Sequence, residues 1–351
     1  MKRSIPIFCV GICLVLLLQA VLMPKNIPEA RLIGEYYANA SGNDVIFVGD
    51  CEVYENISPI TLYEEFGIAS WIRGSPQQTV WQSFYLVEET LRYESPKAIV
   101  FNVLAMKYDT PESTGNPVRR EAYNRITLDT MRWSGSKFRS IMASMTEAER
   151  KSLGLAGYLF PILRYHDRWS QLTWRDVTTL VGTQENVTSR GYLVKTDVVG
   201  APTSHPSHEG ALPPVDTAFG ETALEWFDRI VTLCRENEAA LVLVKAPTDS
   251  WRYPWYDEYE EQVVALTEKY ELPYYNLLDA FDEIGLDLTT DSYDGGLHLN
   301  VYGAEKVSRY FSSVLKERYQ LRDGRRWNGA TAMWTAIEEQ YEAMKGEVSE
   351  P

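Results

Sequence analysis

Cysteine and histidine are scarce in this sequence, and basic residues are fewer than acidic ones. The 351 residues include four cysteines and four histidines, and the formal net charge at pH 7 is −15. So acidic a chain is a poor candidate for binding nucleic acid or for docking on anionic lipid. Only Cys51 and Cys234 lie beyond the first 24 residues, so the chain is not a disulfide scaffold. A bridge between these two is left open, although Cys234 lies in a helical pattern typical of a packed thiol.

Internal repeats, low-complexity blocks and glycine-rich phosphate-binding loops are also absent from the sequence. His205 and His208 have the spacing that metalloproteases use on a helix, but Pro206 between them opposes a helix there. We therefore expect neither a metal nor a cofactor.

One long apolar run is present, at the amino terminus. Residues 5–23 carry no charge and follow Lys2 and Arg3, and about 20 apolar residues are enough to cross a bilayer. No small-residue cleavage site precedes Pro24, which favours an uncleaved signal anchor over a cleaved signal peptide. Because positive charge near a membrane helix tends to stay in the cytoplasm, we expect a single-pass protein of the cell membrane with an extracytoplasmic C-terminal domain.

Strand and helix patterns alternate through much of the remaining chain. Short apolar runs of the kind found in strands buried on both faces recur at 44–48, 69–72, 97–104, 239–245 and 274–277. Amphipathic helical patterns separate these runs. The alternation predicts an α/β fold with a doubly wound parallel sheet that is covered by helices on both faces.

One stretch departs from this alternation. Residues 106–218 follow the third predicted strand and have mainly helical patterns, so we expect a helical insertion that covers the ligand-binding edge of the sheet. The predicted domains are an N-terminal anchor at 1–24, a linker at 25–42, an α/β domain at 43–322 that contains the insertion, and a helical tail at 323–351.

The first predicted strand ends in Gly49-Asp50-Cys51, just before helix-like sequence. A strand that turns into a helix at this point places the Cys51 side chain near unpaired backbone N–H groups. Such groups lower the pKa of a thiol and bind an oxyanion, which makes Cys51 a candidate nucleophile. The alternative is a buried thiol that acts only as a small apolar side chain.

A histidine near the other end of the chain is the matching candidate for a general base. His298 lies just before a helix that Asn300 is predicted to cap, and Asp291 and Asp294 lie close upstream. A loop histidine beside carboxylates is well placed to accept a proton. The alternative is a loop histidine that merely hydrogen-bonds to the backbone.

Gly49-Asp50-Cys51 and the segment from Asp294 through His298 to Gly303 resemble the first and last sequence blocks of the SGNH/GDSL hydrolase superfamily. The resemblance covers residues 43–105 and 220–318. It is closest in style to membrane-anchored bacterial cell-envelope members, such as the D-alanyl-lipoteichoic-acid protein and the alginate O-acetyltransferases. The family implies a flavodoxin-like sheet and a covalent intermediate through which acyl esters are cleaved or transferred.

Carried over residue by residue, the resemblance implies that Cys51 is the nucleophile, where the family usually has serine, and that His298 is the base. The family's aspartate usually lies three residues before the histidine, but Gly295 occupies that position here. Asp294, one residue earlier, is therefore the first candidate to orient the imidazole. Asp291 is the reserve.

The oxyanion-binding groups implied by the resemblance are less complete. The backbone N–H groups of Cys51 and Gly74 match two of the family's donors. Leu104-Ala105-Met106-Lys107 aligns with the family's Gly-x-Asn-Asp, so the usual asparagine is missing. Asn102, two residues earlier, is the substitute if the strand ends differently.

Three further side chains are candidates for binding substrate. His166 and Arg168 lie in the insertion, where they would line the pocket from above or simply form a helix surface. Trp251 follows the fourth predicted strand and could stack on a sugar ring or anchor a loop.

Together, these features predict an esterase or O-acyltransferase that uses Cys51, His298 and Asp294 on an acyl ester of a cell-envelope glycan or polyol polymer, with a membrane-bound partner as a source of acyl groups. The alternative is a catalytically inactive glycan-binding or assembly protein with the same fold, which the missing asparagine and the shifted aspartate favour. A thiol redox protein is poorly supported because no C-x-x-C pair is present.

Overall fold

A five-stranded parallel sheet organises the part of the chain that the structure describes. The structure is a computed structural model that describes residues 4–24, 27–39, 42–113, 116–178, 189–202, 218–249, 253–326 and 331–346. The strands are β1 (Val45–Gly49), β2 (Ser70–Gly74), β3 (Ala98–Asn102), β4 (Ala240–Lys245) and β5 (Tyr274–Asn276). Their order is β2-β1-β3-β4-β5, which is the flavodoxin-like order. The predicted α/β class is confirmed.

Helices flank the strands and build the insertion. They are α1 (Ser4–Leu22), α2 (Pro28–Asn39), α3 (Cys51–Tyr54), α4 (Pro59–Phe66), α5 (Val80–Thr90), α6 (Pro117–Thr130), α7 (Gly135–Ser144), α8 (Glu147–Lys151), α9 (Gly154–Leu159), α10 (Ile162–Tyr165), α11 (Trp174–Thr178), α12 (Glu221–Glu236), α13 (Tyr256–Tyr270), α14 (Phe281–Ile284), α15 (Val301–Arg318) and α16 (Thr331–Gly346). Short 3-10 turns cover Val103–Lys107, His166–Gln171 and Gly324–Arg326.

Side chains of successive strand residues point to opposite faces of the sheet, and each face has its own core. In β1, Val45 and Phe47 pack with α4, α15 and α16. Ile46 and Val48 pack on the other face with α2, α5, α12 and α13. Because both faces of β1 are covered, the carboxyl edge of the sheet is where side chains from several strands can meet a ligand.

The membrane-spanning prediction for residues 5–23 is wrong. The apolar run forms α1, but none of the helices in the described ranges combines the length and apolar character needed to cross a bilayer. The end of α1 lies against the insertion, where the Arg168 guanidinium donates a hydrogen bond to the Leu22 carbonyl. The extracytoplasmic location inferred from the same run stays a prediction.

The flanking segments carry more packed structure than a linker and a surface tail would. Within the predicted linker, Tyr36 of α2 is buried and lies 4.0 Å from the Arg73 guanidinium, measured to the ring centroid. Within the predicted tail, Trp334 of α16 is buried and stacks on Tyr63 with ring centroids 3.7 Å apart. Both helices therefore belong to the folded core.

The insertion reaches the carboxyl edge of the sheet beside β2. Thr127 of α6 donates a hydrogen bond of 2.6 Å to the Ser75 hydroxyl, and Arg120 donates to the Gln77 carbonyl at 2.8 Å. Ser75 and Gln77 directly follow β2. Part of the insertion, at residues 179–188 and 203–217, lies outside the described residues.

Candidate active site

The turn after β1 presents the Cys51 side chain. Gly49 has a φ of +152°, and a Cβ atom at this position would lie 2.6 Å from the Cβ atom of Asn102. Only glycine lets the chain turn this close to β3. Asp50 then caps α3 by accepting a hydrogen bond of 3.2 Å from the backbone N–H of Glu52. Cys51 is thus the first residue of α3, and it is partly buried.

His298 and Asp294 form the second part of the site. The Nδ1 atom of His298 lies 2.7 Å from Oδ2 of Asp294, and the backbone N–H of His298 donates to Oδ1 at 2.8 Å. Gly295 and Gly296 between them have φ values of +79° and +92°. These two left-handed residues curl the loop back on itself, which lets a carboxylate four residues before the histidine reach its ring.

The Cys51 thiol is the other reactive group near the imidazole. The Asp294 carboxylate accepts a hydrogen bond from Nδ1–H of His298. Nε2 is then the ring nitrogen that can accept a proton. Nε2 is buried and has no hydrogen bond of ordinary geometry among the described residues. The thiol and the imidazole nevertheless interact closely enough to shift each other's pKa. Cys51, His298 and Asp294 therefore lie in the order that nucleophilic catalysis requires.

Burial dominates the pKa of the Cys51 thiol. It raises the pKa of the Cys51 thiol to about 11, although the neighbouring His298 works in the opposite direction. The sequence predicts a lowered thiol pKa, and that prediction is wrong because loss of solvation outweighs the local positive charge. Burial also disfavours the charged form of His298, but its interactions with Cys51 and Asp294 outweigh burial and raise the imidazole pKa well above its usual 6.5.

A second carboxylate beside the imidazole was not expected from the sequence. Oε2 of Glu55 lies 3.4 Å from Nδ1 of His298 and accepts a hydrogen bond from the Tyr293 hydroxyl. Burial raises the pKa of Glu55 above its ordinary value. The only sequence signal is spacing, because Glu55 lies four residues after Cys51 and thus on the same side of a helical turn.

A buried ion pair fixes the nucleophile turn to the sheet. The Lys245 ammonium at the end of β4 donates to Oε1 of Glu52 at 2.8 Å, and both side chains are fully buried. The same ammonium also donates to the Ala246 carbonyl at 2.6 Å. A lysine at the end of an otherwise apolar strand is the sequence signal for such a pair. The pair holds α3, and with it Cys51, against β4.

Loss of one partner of this pair should destabilise the protein strongly, because the other charge would stay buried and unpaired. We expect Lys245→Met or Glu52→Gln to lower the free energy of unfolding by about 3–5 kcal/mol. The double variant Glu52→Leu/Lys245→Met should recover most of that loss. Denaturant unfolding measures these free energies. The control is Glu225→Gln, which breaks the exposed Glu225–Arg229 pair. A Lys245→Met loss no larger than that of the control would contradict the role of the pair.

Two residues predicted as site members have other partners. The Asn102 amide donates to Oε2 of Glu52 at 3.2 Å, and its Oδ1 accepts the Leu104 N–H at 2.7 Å. With both ends occupied, Asn102 does not serve as an oxyanion donor. Oδ2 of Asp291 accepts from the Lys306 ammonium at 2.7 Å, so the reserve aspartate pairs with a lysine rather than with the imidazole.

Gly74 ends β2 directly beside Gly49 of β1. A Cβ atom on Gly74 would lie 2.9 Å from Cδ1 of Tyr54, so glycine is needed for β2 to approach α3. The position suits a backbone donor next to the nucleophile turn. Among the described residues, the backbone N–H of Cys51 donates no hydrogen bond.

The remaining predicted substrate contacts are not assembled at this edge. Arg168 is occupied by the Leu22 carbonyl and by Asp176, 3.3 Å away. His166 is exposed, and its Nδ1 lies 3.1 Å from the Leu163 carbonyl. These contacts are those of a helix surface packed on α1. Trp251 lies outside the described residues, as do His205 and His208.

The two cysteines beyond the amino terminus are separate. Cys51 and Cys234 are both free thiols, and Cys234 is buried in α12. The packed-thiol interpretation of Cys234 therefore holds, and no disulfide joins it to Cys51. Among the described residues, no group of three or more His, Cys, Asp or Glu side chains is arranged to hold a metal ion.

No protein-family model matches the chain, and a search of curated proteins finds no match. Among solved structures, the chain is similar to a GDSL-like lipase from Bacteroides thetaiotaomicron. The two are 11% identical, the match covers 83% of this chain and 98% of the lipase, and the TM-score is 0.35. A TM-score this low carries no argument about activity, so the chemistry is assigned from the geometry of the site.

Proposed function

We propose that this chain is an acyl hydrolase or acyltransferase that carries the acyl group as a thioester on Cys51. The observation that carries the proposal is the 2.7 Å contact between Nδ1 of His298 and the Asp294 carboxylate, beside a thiol that shifts the imidazole pKa. A nucleophile, a base and a group that orients the base are the three parts of covalent acyl transfer.

The reaction follows from these positions. Neutral His298 accepts the thiol proton at Nε2 as the Cys51 sulfur attacks the ester carbonyl carbon, and a tetrahedral oxyanion forms. The oxyanion collapses, the C–O bond to the leaving alcohol breaks, and the imidazolium returns its proton to that alcohol. Water, or the hydroxyl of an acceptor, then attacks the thioester with the same imidazole as base. The Cys51 thiol is regenerated.

The alternative of a non-catalytic relative makes a different structural prediction. It expects a Cys51 sulfur remote from His298 and an imidazole without a carboxylate partner. His298 instead has Asp294 on Nδ1 and responds electrostatically to Cys51. The Asp294 contact, together with the mutual influence of Cys51 and His298, supports the catalytic proposal over the binding protein.

The acyl acceptor and the acyl donor are further parts of the proposed function. A cell-envelope glycan or polyol polymer as acceptor, and a membrane-bound partner as donor, stay predictions made from the sequence. Adding soluble glycans or polyols to an ester assay tests the acceptor. A transferase releases the alcohol while the acyl group appears on the polymer, whereas a hydrolase releases free acid.

Acylation of Cys51 should be faster than its regeneration when the ester has a good leaving group. Purified protein mixed with 4-nitrophenyl acetate or butyrate should therefore release about one equivalent of nitrophenol in a rapid burst before the steady state. Stopped-flow absorbance measures the burst amplitude. Failure of every short- and medium-chain 4-nitrophenyl ester to react above the buffer rate would argue against acyl-transfer chemistry.

The raised pKa of His298 sets the direction of the pH dependence. The imidazole accepts a proton only in its neutral form, and its interactions with Cys51 and Asp294 hold its pKa well above 6.5. We therefore expect kcat/KM for acylation to be low at pH 6 and to rise with pH through the alkaline range. A profile already flat from pH 6 upward would mean that the reacting form is a preformed thiolate–imidazolium pair.

A further inference from the structure

Lys107 is a charged side chain near Cys51 whose role the proposed reaction does not include. It ends the 3-10 turn Val103–Lys107, which follows β3 without a break. β3 is the neighbour of β1, so the turn lies at the same edge of the sheet as Cys51. The resemblance to SGNH/GDSL hydrolases placed the missing oxyanion asparagine in this same turn.

The other charges in this region already have partners. Glu52 is paired with Lys245 at 2.8 Å, and Asp50 accepts the backbone N–H of Glu52. The Lys107 ammonium neither donates a hydrogen bond nor forms an ion pair with any residue that the structure describes. Its charge is therefore available to an anion that binds at this edge of the sheet.

Two aromatic rings lie near the Lys107 ammonium. Its Nζ atom lies 5.1 Å from the centre of the Tyr108 ring and 6.0 Å from that of Tyr253. Both tyrosines are buried. Aromatic faces attract a cation without neutralising it, and by excluding water they strengthen its attraction for an anion.

The groups around Lys107 favour its charged form. Burial opposes the charge, but Tyr108, Asp50, Glu52 and Cys51 outweigh burial and hold the pKa of the ammonium above its ordinary range. Burial raises the pKa of the Asp50 carboxyl, and the Lys107 ammonium works in the opposite direction. Lys107 is therefore a positive charge at the same edge of the sheet as Cys51.

We propose that the Lys107 ammonium stabilises the oxyanion that forms when Cys51 attacks the acyl carbonyl, in place of the asparagine side chain that this site lacks. The inference rests on the proposed acyl-transfer function. The charge balances without a proton from Lys107: the thiol proton goes to His298, the carbonyl π electrons move to oxygen, and the ammonium stays protonated. Asn102 does not compete for this role, since its amide is occupied by Glu52 and Leu104.

The test compares Lys107→Met with Lys107→Arg. Methionine keeps the length and removes the charge, so kcat should fall by about 10²–10³-fold with little change in KM. Arginine keeps the charge and should recover at least about tenfold of that loss. The control is Lys97→Met, because Lys97 lies exposed at the opposite end of β3 and should leave kcat unchanged.

A trifluoromethyl ketone separates an electrostatic role from a structural one. Addition of the Cys51 thiol to this ketone gives a hemithioketal oxyanion, so its affinity should fall in Lys107→Met by about the same factor as kcat/KM. A ketone affinity equal to that of the wild type, or a loss confined to KM, would overturn the role of Lys107. These results are distinct from failure of the proposed function, in which the wild-type protein itself shows neither a burst nor an acyl group on Cys51.

Discussion

Replacement of Cys51 by alanine is expected to lower the turnover of an activated ester by about 10⁴-fold or more. Without the sulfur, no thioester can form, and His298 has no thiol from which to accept a proton. The half-buried position of Cys51 at the start of α3 makes this change mild for folding. Steady-state release of 4-nitrophenol and the burst amplitude should both fall to background.

The chain offers a matched control for this change. Cys234 is also a free thiol, but it is only 1% exposed within the core between the sheet and α12. Cys234→Ala should keep the wild-type burst while lowering the unfolding midpoint, because it leaves a small cavity. Equal activity in Cys51→Ala and Cys234→Ala would rule out Cys51 as the nucleophile.

Replacement of Asp294 by asparagine should lower kcat by about 10³–10⁴-fold through the tautomer of His298. The backbone N–H of His298 needs an acceptor at Oδ1, so the asparagine oxygen should take that position and its NH₂ group should face Nδ1. Nδ1 would then be unprotonated and Nε2 would carry the proton. A ring in that state cannot accept the thiol proton.

The same variant should change the pH profile in a defined direction. Asp294 is one of the charges that favour the imidazolium, so its loss lowers the His298 pKa and moves the rising limb of kcat/KM to lower pH. Glu55 would remain, 3.4 Å from Nδ1, and limits the shift. Asp291→Asn is the matched control, because Asp291 pairs with Lys306 and should affect stability rather than kcat. Similar losses of kcat in the two variants would contradict the role given to Asp294.

The sheet could be predicted from the sequence because its signals are local. Apolar runs such as 240–245 identify buried strands, and alternation with helices leaves few ways to connect them. The pairing of Asp294 with His298 was also predictable, since both lie in one short loop. The amino-terminal run predicts a membrane span from its composition alone, but α1 does not combine the length and apolar character that a bilayer crossing needs.

The residues that the sequence did not reveal act across long separations. Glu52 and Lys245 are 193 positions apart and meet only because β1 and β4 flank β3 in the folded sheet. Glu55 lies beside His298, which belongs to a loop about 240 positions later in the sequence. No local sequence pattern encodes a contact over that separation. The thiol pKa likewise depends on burial, which is a property of the packed protein.

The most direct test of the account is to find the acyl group on the protein. Wild-type protein quenched in acid within the burst phase of 4-nitrophenyl butyrate turnover should gain the mass of one butyryl group. Peptide mapping should place it on Cys51, and neutral hydroxylamine should remove it as expected for a thioester. The adduct should be absent from Cys51→Ala and present in Cys234→Ala. Ester turnover with no acyl group on Cys51, or with the group on another residue, would contradict the account.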